Sequence, residues 1–146
     1  TKEVDFSKIP IFIEAKEKEA EVLNALKELA CSISQQVFEL DSEGRRSLHL
    51  AAVFACNFAN HCYALAADMV ERSGMTFDCL LPLIDETARK VHALSPVDAQ
   101  TGPAVRYDRN VINSQSLMLE DCALAKDIYK LMSESIHQKS KFNDKL

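Results

Sequence analysis

The longest apolar segment of the chain runs from His49 to Val70, HLAAVFACNFANHCYALAADMV, and only isolated polar residues interrupt it. On an ideal α-helix, which turns about 100° per residue, His49, Asn57 and Asn60 fall within about 80° of one another and form a narrow polar stripe. A helix that is apolar nearly all round is expected in the middle of a helical assembly, where polar groups need partners. The stripe therefore predicts either a hydrogen-bond network in a core or part of a binding cleft. The same polar interruptions argue against a membrane span, which needs about 20 apolar residues.

Two short apolar runs precede this segment, and a helical pattern lies between them. Residues 8–14, KIPIFIE, predict a strand buried on both faces, and residues 36–40, QVFEL, predict a second strand. Leucines and alanines at helical spacing predict a helix over residues 17–34. This order is typical of a βαβ unit with two parallel strands. Such a unit needs further strands beside it, and the rest of the pattern predicts none.

From Asp41 onward the pattern is helical throughout, so the expected fold class is mainly α. Asp41 or Ser42 is a plausible N-cap, with Glu43 in the first turn. We expect helices over residues 43–73, 77–94 and 109–137, the first of them ended by Gly74. Residues 95–108, SPVDAQTGPAVRYD, predict a structured loop because their composition is mixed instead of Gly/Ser-rich.

Composition and charge narrow the class of protein. A chain of 146 residues with 47% hydrophobic residues can bury the core of one ordinary domain. A net charge of -5 and the absence of a basic stripe make nucleic acid an unexpected partner. The five cysteines are odd in number and include no CxxC, which indicates reduced thiols and no metal site. No signal peptide is visible, so the cytoplasm is the expected compartment.

Four phrases along the chain resemble parts of one known family: IPIFIEA, RRSLHLAAVFACNFANH, LLPLIDETARK and TGPAVRYD. Together they resemble the carboxy-terminal region of Rossmann-like oxidoreductases that carry a helical domain of unknown function, number 2520. That family is similar in layout to pyrroline-5-carboxylate reductase, ketopantoate reductase and proteins with 6-phosphogluconate-dehydrogenase-like helical domains. The resemblance extends from Val4 to about Ile136. It implies an amino-terminal Rossmann domain that binds NAD or NADP, and a helical domain that dimerises and closes the substrate cleft.

The resemblance also implies a division of the chain into two parts. Residues 1–41 would be the βαβ tail of the Rossmann domain, and residues 42–146 the helical dimerisation and substrate-cleft domain. No GxGxxG is present, and the only glycines are Gly44, Gly74 and Gly102. We therefore expect that a preceding Rossmann domain is missing and that this chain alone binds neither NAD nor NADP. The expected partners are a second copy of the chain and that missing domain, without nucleic acid or membrane.

The polar stripe supplies the candidate catalytic residues. His49 and Asn57 stand where the resemblance places a histidine and an asparagine of the cleft, and Asn60 is a candidate substrate ligand beside them. An asparagine can hold a substrate carbonyl or carboxylate, and a histidine can donate a proton near neutral pH as a carbonyl is reduced. The alternative is that these groups are paired inside a helical core or an interface.

A second set of candidate substrate-binding residues lies in the loop over residues 95–108: Thr101, Gly102, Arg106 and Asp108. Glycine permits a close backbone approach, and the planar guanidinium of arginine can grip a carboxylate or phosphate. The resemblance implies that this loop lies near the active site or the dimer contact. The alternative is a plain turn with a surface ion pair between Arg106 and Asp108.

The remaining candidates lie outside these two sets. Thr87 either contacts a ligand or bonds to the backbone of its own helix. We expect His61, His92 and His137 at the surface or an interface. Three functions stay open: part of an NAD(P)-dependent oxidoreductase, a noncatalytic dimerisation module, and a helical protein that binds a small molecule or metal.

Overall fold

The structure, a computed structural model, describes residues 3–16 and 19–143. It is mainly helical with a small two-stranded sheet near the amino terminus, which confirms the predicted fold class. The chain forms two compact units, Thr1–Tyr63 and Ala64–Leu146. The predicted domain boundary after residue 41 stays a prediction.

The first unit begins with the predicted βαβ arrangement. A 3-10 turn over Phe6–Lys8 precedes strand β1 (Ile11–Ile13), helix α1 (Ala20–Ile33) and strand β2 (Val37–Glu39). The strands pair in parallel, with Phe12 opposite Phe38 and their rings stacked at 5.6 Å between centroids. The predicted parallel pair is therefore confirmed, whereas the predicted helix start at Glu17 lies outside the described residues.

The strands are shorter and less buried than the sequence predicts. Of the apolar residues in the first run, Ile13 alone is buried, and Ile9 is 37% exposed. The prediction that this strand is buried on both faces is wrong for this chain. The physical reason is that the described sheet has only two strands, with α1 in contact with both, so each strand keeps one unpaired edge.

A single long helix follows, from Ser42 to Arg72. It consists of α2 (Ser42–Ala52), a π-helical segment (Val53–Phe58) and α3 (Ala59–Arg72). The Gly44 N–H donates to Asp41 Oδ1 at 2.7 Å, which confirms Asp41 as the N-cap.

The long helix ends where the sequence predicts. Gly74 has a φ of 76°. Its N–H donates to the Glu71 carbonyl at 2.9 Å, and the Met75 N–H donates to the Val70 carbonyl at 3.2 Å. This pair of bonds is a Schellman motif, in which glycine takes the left-handed position at no steric cost.

The apolar side chains of the long helix are exposed in the described chain, so the helical assembly expected around it is not completed by these residues and stays a prediction. Val70 is its only residue that is classed as buried. Large apolar side chains exposed along it are Leu48, Leu50, Phe54, Phe58, Tyr63 and Met69. The described residues leave most of the circumference of the helix uncovered. By length and composition alone the helix could also cross a membrane, which is weak evidence, since core helices of soluble proteins meet the same criteria.

The second unit contains the remaining helices. A 3-10 turn over Phe77–Leu80 leads into α4 (Leu81–Lys90), and the loop that follows carries the one-turn helix α5 (Pro103–Arg106). Helices α6 (Arg109–Leu117) and α7 (Ala123–Asn143) complete the unit. Residues 91–94, predicted as helix, form turns instead.

The predicted continuous helix over residues 109–137 is wrong, because tight turns over residues 118–122 separate α6 from α7. The break lets the two helices pack against each other, and the Tyr129 hydroxyl donates to Gln115 Oε1 at 2.7 Å. Asp121 in the break pairs with Arg72 at 2.5 Å. Acidic side chains just before α7 also favour a helix start there through the helix dipole. Beyond the break, α7 continues past the predicted end to Asn143.

Candidate functional site

The candidate catalytic residues His49 and Asn57 lie on the long helix together with Asn60, and all three side chains are exposed. None of them has a hydrogen-bond partner among residues 3–16 and 19–143. The alternative of a core hydrogen-bond network is therefore not formed within the described part of the chain. These polar groups lie among exposed apolar neighbours, which is the arrangement of a cleft or interface wall.

The π-helical segment changes the geometry of the stripe. A π-helix bonds residue i to residue i+5, so it has about 4.4 residues per turn, or about 82° per residue. Val53 is the first residue of the segment, and its N–H still donates to the His49 carbonyl as in an α-helix. Measured around the helix axis, the direction of Asn57 is then within about 10° of that of His49. On an ideal α-helix the two directions differ by about 80°. Asn60 turns to about 70° from His49 on the other side.

By this ideal geometry, His49 and Asn57 lie along one line of the helix surface and Asn60 lies away from that line. Their Cα atoms are separated by about two turns, or roughly 11 Å along the helix axis. Half-buried Val53 lies between them. A histidine and an amide in line can contact two ends of one elongated molecule, with an apolar surface between them.

The loop candidates form a different arrangement in the second unit. Asp108 is the N-cap of α6, because its Oδ1 accepts a hydrogen bond of 3.3 Å from the Val111 N–H. Arg106 is exposed and has no ion-pair partner among the described residues. The predicted alternative of an Arg106–Asp108 surface pair is therefore not formed there. The guanidinium of Arg106 is left available to an external anion.

Two unusual backbone conformations fix the position of Arg106. Gly102, with φ 112° and ψ −179°, occupies a region that is essentially restricted to glycine. Tyr107, with φ 52°, is left-handed, and its N–H and that of Asp108 donate to the carbonyls of Ala104 and Pro103. A non-glycine residue costs about 1–2 kcal/mol in this conformation, so other contacts must hold it in place.

A ring stack provides such a contact. The Tyr107 ring lies against the His137 ring on α7, with centroids 4.1 Å apart and planes at 17°. Arg109 Cζ lies 5.1 Å from the Tyr107 centroid. His137 is half-buried, and its Nδ1 is buried without a hydrogen-bond partner among the described residues. Tyr107 was not among the predicted site residues, because no spacing in the sequence connects it with a residue on α7.

The other predicted positions are less distinctive. The Thr87 hydroxyl donates to the Leu83 carbonyl at 2.8 Å. This is the bond to the backbone of its own helix, one of the two alternatives predicted from the sequence. Thr101 is exposed, and its carbonyl accepts from Gln100 Nε2 at 3.2 Å. The described residues contain no group of three metal-ligating side chains, and their five cysteines are free.

A further polar cluster lies where β1 ends and α2 begins. Glu14 accepts hydrogen bonds of 2.9 Å from both the N–H and the hydroxyl of Ser42, and it pairs with Arg45. Arg45 Nη1 also donates to the Leu40 carbonyl at 3.2 Å. The hydroxyl of Ser42, supported by its N–H and by Arg45, lowers the pKa of Glu14. This network connects the carboxyl end of the strand to the first turn of the long helix.

The fold, a βαβ unit followed by helices, is shared with solved structures of longer proteins. Residues 9–136 match the family described as Domain of unknown function (DUF2520), and the chain belongs to that family. The resemblance seen in the sequence is thereby confirmed.

Two solved structures are similar to the chain. A "putative NADP oxidoreductase" from Bacteroides fragilis is 55% identical with a TM-score of 0.85, over 94% of this chain and 52% of that one. A protein from Thermotoga maritima is 23% identical with a TM-score of 0.79, over 95% of this chain and 56% of that one, and this likeness shows the fold alone. The chain thus spans about half the length of these proteins. No curated protein matches it significantly.

Proposed function

We propose that this chain is the helical, substrate-side portion of an NADP-dependent oxidoreductase that works as a homodimer in the cytoplasm. The observation that carries the proposal is the 55% identity, over 94% of the chain, to a protein described as a putative NADP oxidoreductase. The unpaired strand edges support it, because a two-stranded parallel sheet needs further strands beside it. On this proposal residues 1–41 complete a Rossmann sheet, and residues 42–146 line the cleft and form the dimer.

The cofactor is assigned to the part of the complete protein outside this chain. A dinucleotide site needs a glycine-rich turn between a strand and a helix, and the chain has no such sequence. Its own residues therefore do not fit a complete NADP site. Bound elsewhere in the complete protein, the cofactor would supply the hydride chemistry.

The residues of this chain would bind and orient the substrate. Asn57 would donate a hydrogen bond to a carbonyl or carboxylate oxygen, and His49, in line with it, would hold and deliver a proton to the substrate oxygen or nitrogen. Arg106 would bind an anionic group, because it is exposed and unpaired within the described residues. Asn60, Thr87, Thr101, Gly102 and Asp108 stay proposed substrate contacts.

The test is NADPH consumption by the complete protein with a panel of aldehydes, ketones, oxo acids and cyclic imines. Replacement of His49 or Asn57 by alanine should lower kcat/KM by a factor of about 100 or more, the scale of a lost proton donor. His61→Ala is the matched control, since His61 is an exposed histidine of the same helix. An absence of NADPH consumption with every compound, or equal effects of the His49 and His61 variants, would contradict the proposal.

A noncatalytic dimerisation module is the second candidate. The exposed apolar side chains of the long helix favour it, because contiguous apolar surface of this extent usually marks an interface. This candidate predicts a dimer whose assembly survives His49→Ala and Asn57→Ala, with no NADPH turnover by the wild-type protein. A helical small-molecule-binding protein, the third alternative, would instead retain a ligand on this chain alone.

A further inference from the structure

A small cavity lies between the loop over residues 95–108 and helix α7, within the second unit. Its volume is about 220 Å³, and its wall includes Val97, Gln100 and Val105 from the loop and Ile136, Lys139 and Ser140 from α7. Drug-sized ligands occupy pockets of about 300–1,000 Å³, so this cavity suits a smaller molecule. None of its lining residues has been given a role in the proposed oxidoreductase site.

The loop side of the cavity is held in a defined shape. At its beginning the Ser95 hydroxyl donates to Asp98 Oδ2 at 2.7 Å, and the Asp98 N–H donates to Ser95 Oγ at 3.2 Å. At its end the stack of Tyr107 on His137 fixes the loop to α7. A pocket with walls fixed in this way does not need to order a loop when a ligand enters, and this lowers the entropic cost of binding.

The lining has one apolar side and one cationic side. Val97, Val105 and Ile136 are half-buried, and their side chains give the wall an apolar surface. Lys139 is exposed and forms no ion pair with any residue that the structure describes. An unpaired ammonium beside an apolar wall matches a molecule that has one negative charge and a short hydrocarbon tail.

We propose that this cavity is a binding site for a small amphipathic monocarboxylate, with the tail against Val97, Val105 and Ile136 and the carboxylate on Lys139. A phosphate is a poorer match because the cavity offers a single cation and no arginine, whose bidentate geometry phosphate sites favour. The Ser140 hydroxyl is already engaged, donating to the His137 carbonyl at 2.8 Å. Lys139 is the one cation of the lining, so the charge contact of the carboxylate depends on Lys139.

The probe for this site is hexanoate, with hexan-1-ol as the uncharged probe of the same length. The complete protein, labelled at its Val and Ile methyl groups, is titrated with each, and the methyl shifts of Val97, Val105 and Ile136 are followed by NMR. Hexanoate should shift these methyls with a Kd of about 1 mM, as expected for a ligand of this size. Lys139→Gln should weaken hexanoate binding about fivefold and leave hexanol binding unchanged, because the variant removes only the charge contact.

Two further variants sharpen the test. Lys141→Gln removes a nearby lysine of α7 that does not line the cavity, and it should leave the hexanoate Kd unchanged. Val97→Phe should fill the cavity and abolish the shifts from both probes. The proposal is overturned if hexanoate leaves these methyls unshifted at 10-fold the expected Kd, or if Lys139→Gln and Lys141→Gln weaken its binding equally. Retention of hexanoate binding in Val97→Phe would also overturn it, because the ligand would then lie elsewhere.

Discussion

Individual residues were predictable where their role depends on local chemistry. Asp41 and Gly74 were identified correctly because a capping carboxylate and a left-handed glycine act within a few residues of their own position. Tyr107 was not, because its left-handed conformation is stabilised by His137, which is distant in the sequence. The role of Asp108 was missed for a different reason: it acts locally as the N-cap of α6, a role that the sequence pattern did not suggest. Local signals thus find some caps, but they do not find contacts between distant segments.

Arg106→Lys in the complete protein should raise the KM for the substrate or the Kd for NADPH about tenfold, which corresponds to about 1.4 kcal/mol. Lysine keeps the charge but cannot reproduce the bidentate contact of a guanidinium with an anion. The melting temperature should stay nearly unchanged, because Arg106 is exposed and has no partner among the described residues. Steady-state kinetics and thermal unfolding measure the two effects separately. Wild-type kinetic constants in this variant would rule out an anion-binding role.

At the scale of elements, apolar periodicity located every long helix but missed two interruptions. The π segment contains no glycine or proline, so nothing in its sequence indicates a change of helix type. The break over residues 118–122 also lacks both residues, and apolar side chains continue through it at helical spacing. In both places packing or function overrides a local pattern that is compatible with a regular α-helix.

The junction between β1 and α2 should make stability depend on pH. The folded state lowers the pKa of Glu14, so its contribution is fully present above the pKa of the unfolded chain, about 4.3, and is lost as pH falls through the lower folded value. Glu14→Gln should therefore reduce the free energy of unfolding at pH 7 and have progressively less effect below about pH 4. Urea unfolding of the complete protein at several pH values tests this.

A matched control is Glu28→Gln, since Glu28 is an exposed residue of α1 without a partner among the described residues. It should change the free energy of unfolding little at any pH. If both variants behaved alike, the network around Glu14 would have no measurable part in stability.

The π segment allows a paired test of the alignment of His49 with Asn57. Deletion of either Ala55 or Ala59 removes the one residue that the π segment adds, and should restore a continuous α-helix. In both variants the side chains of α3 should keep their orientation around the helix axis relative to α2. Deletion of Ala55 leaves the two side chains seven residues apart and within about 20°, whereas deletion of Ala59 leaves them eight apart and separated by about 80°.

We expect the complete protein without Ala55 to keep most of its kcat/KM, and the protein without Ala59 to lose at least about tenfold. Circular dichroism should show equal helix content in both, so that the comparison reports the alignment and not folding. Equal losses of activity in the two variants would show that the common direction of His49 and Asn57 is unimportant.

At the scale of the whole molecule, the sequence indicated an apolar helix that needs covering, but it could not show what covers it. Its large apolar side chains are exposed in the described structure, so the described residues of this chain do not supply that cover. The burial of this helix depends on its partners, such as the rest of a complete protein or a second copy of the chain. The sequence of this chain alone does not describe those partner surfaces. The fold was therefore more predictable than the environment of the candidate site.

The apolar face of the long helix leads to a prediction about assembly. The helix has 31 residues and is about 46 Å long, enough to contribute a large part of the roughly 800 Å² per partner that stable interfaces bury. Phe54, 63% exposed, and Phe58 form an edge-to-face pair at 4.9 Å in the middle of this surface. Aromatic side chains near the centre of an interface often provide most of its binding energy.

We expect the complete protein to sediment as a homodimer at micromolar concentration, and Phe54→Glu to shift it to monomer by placing a charge in the centre of the apolar contact. Met75→Glu is the matched control, because Met75 is an exposed apolar residue just beyond the end of the same helix and its substitution should leave the dimer intact. Sedimentation equilibrium of the wild type and both variants measures the effect. A wild-type monomer would reject self-association, and a dimer that Phe54→Glu does not weaken would place the interface away from the long helix.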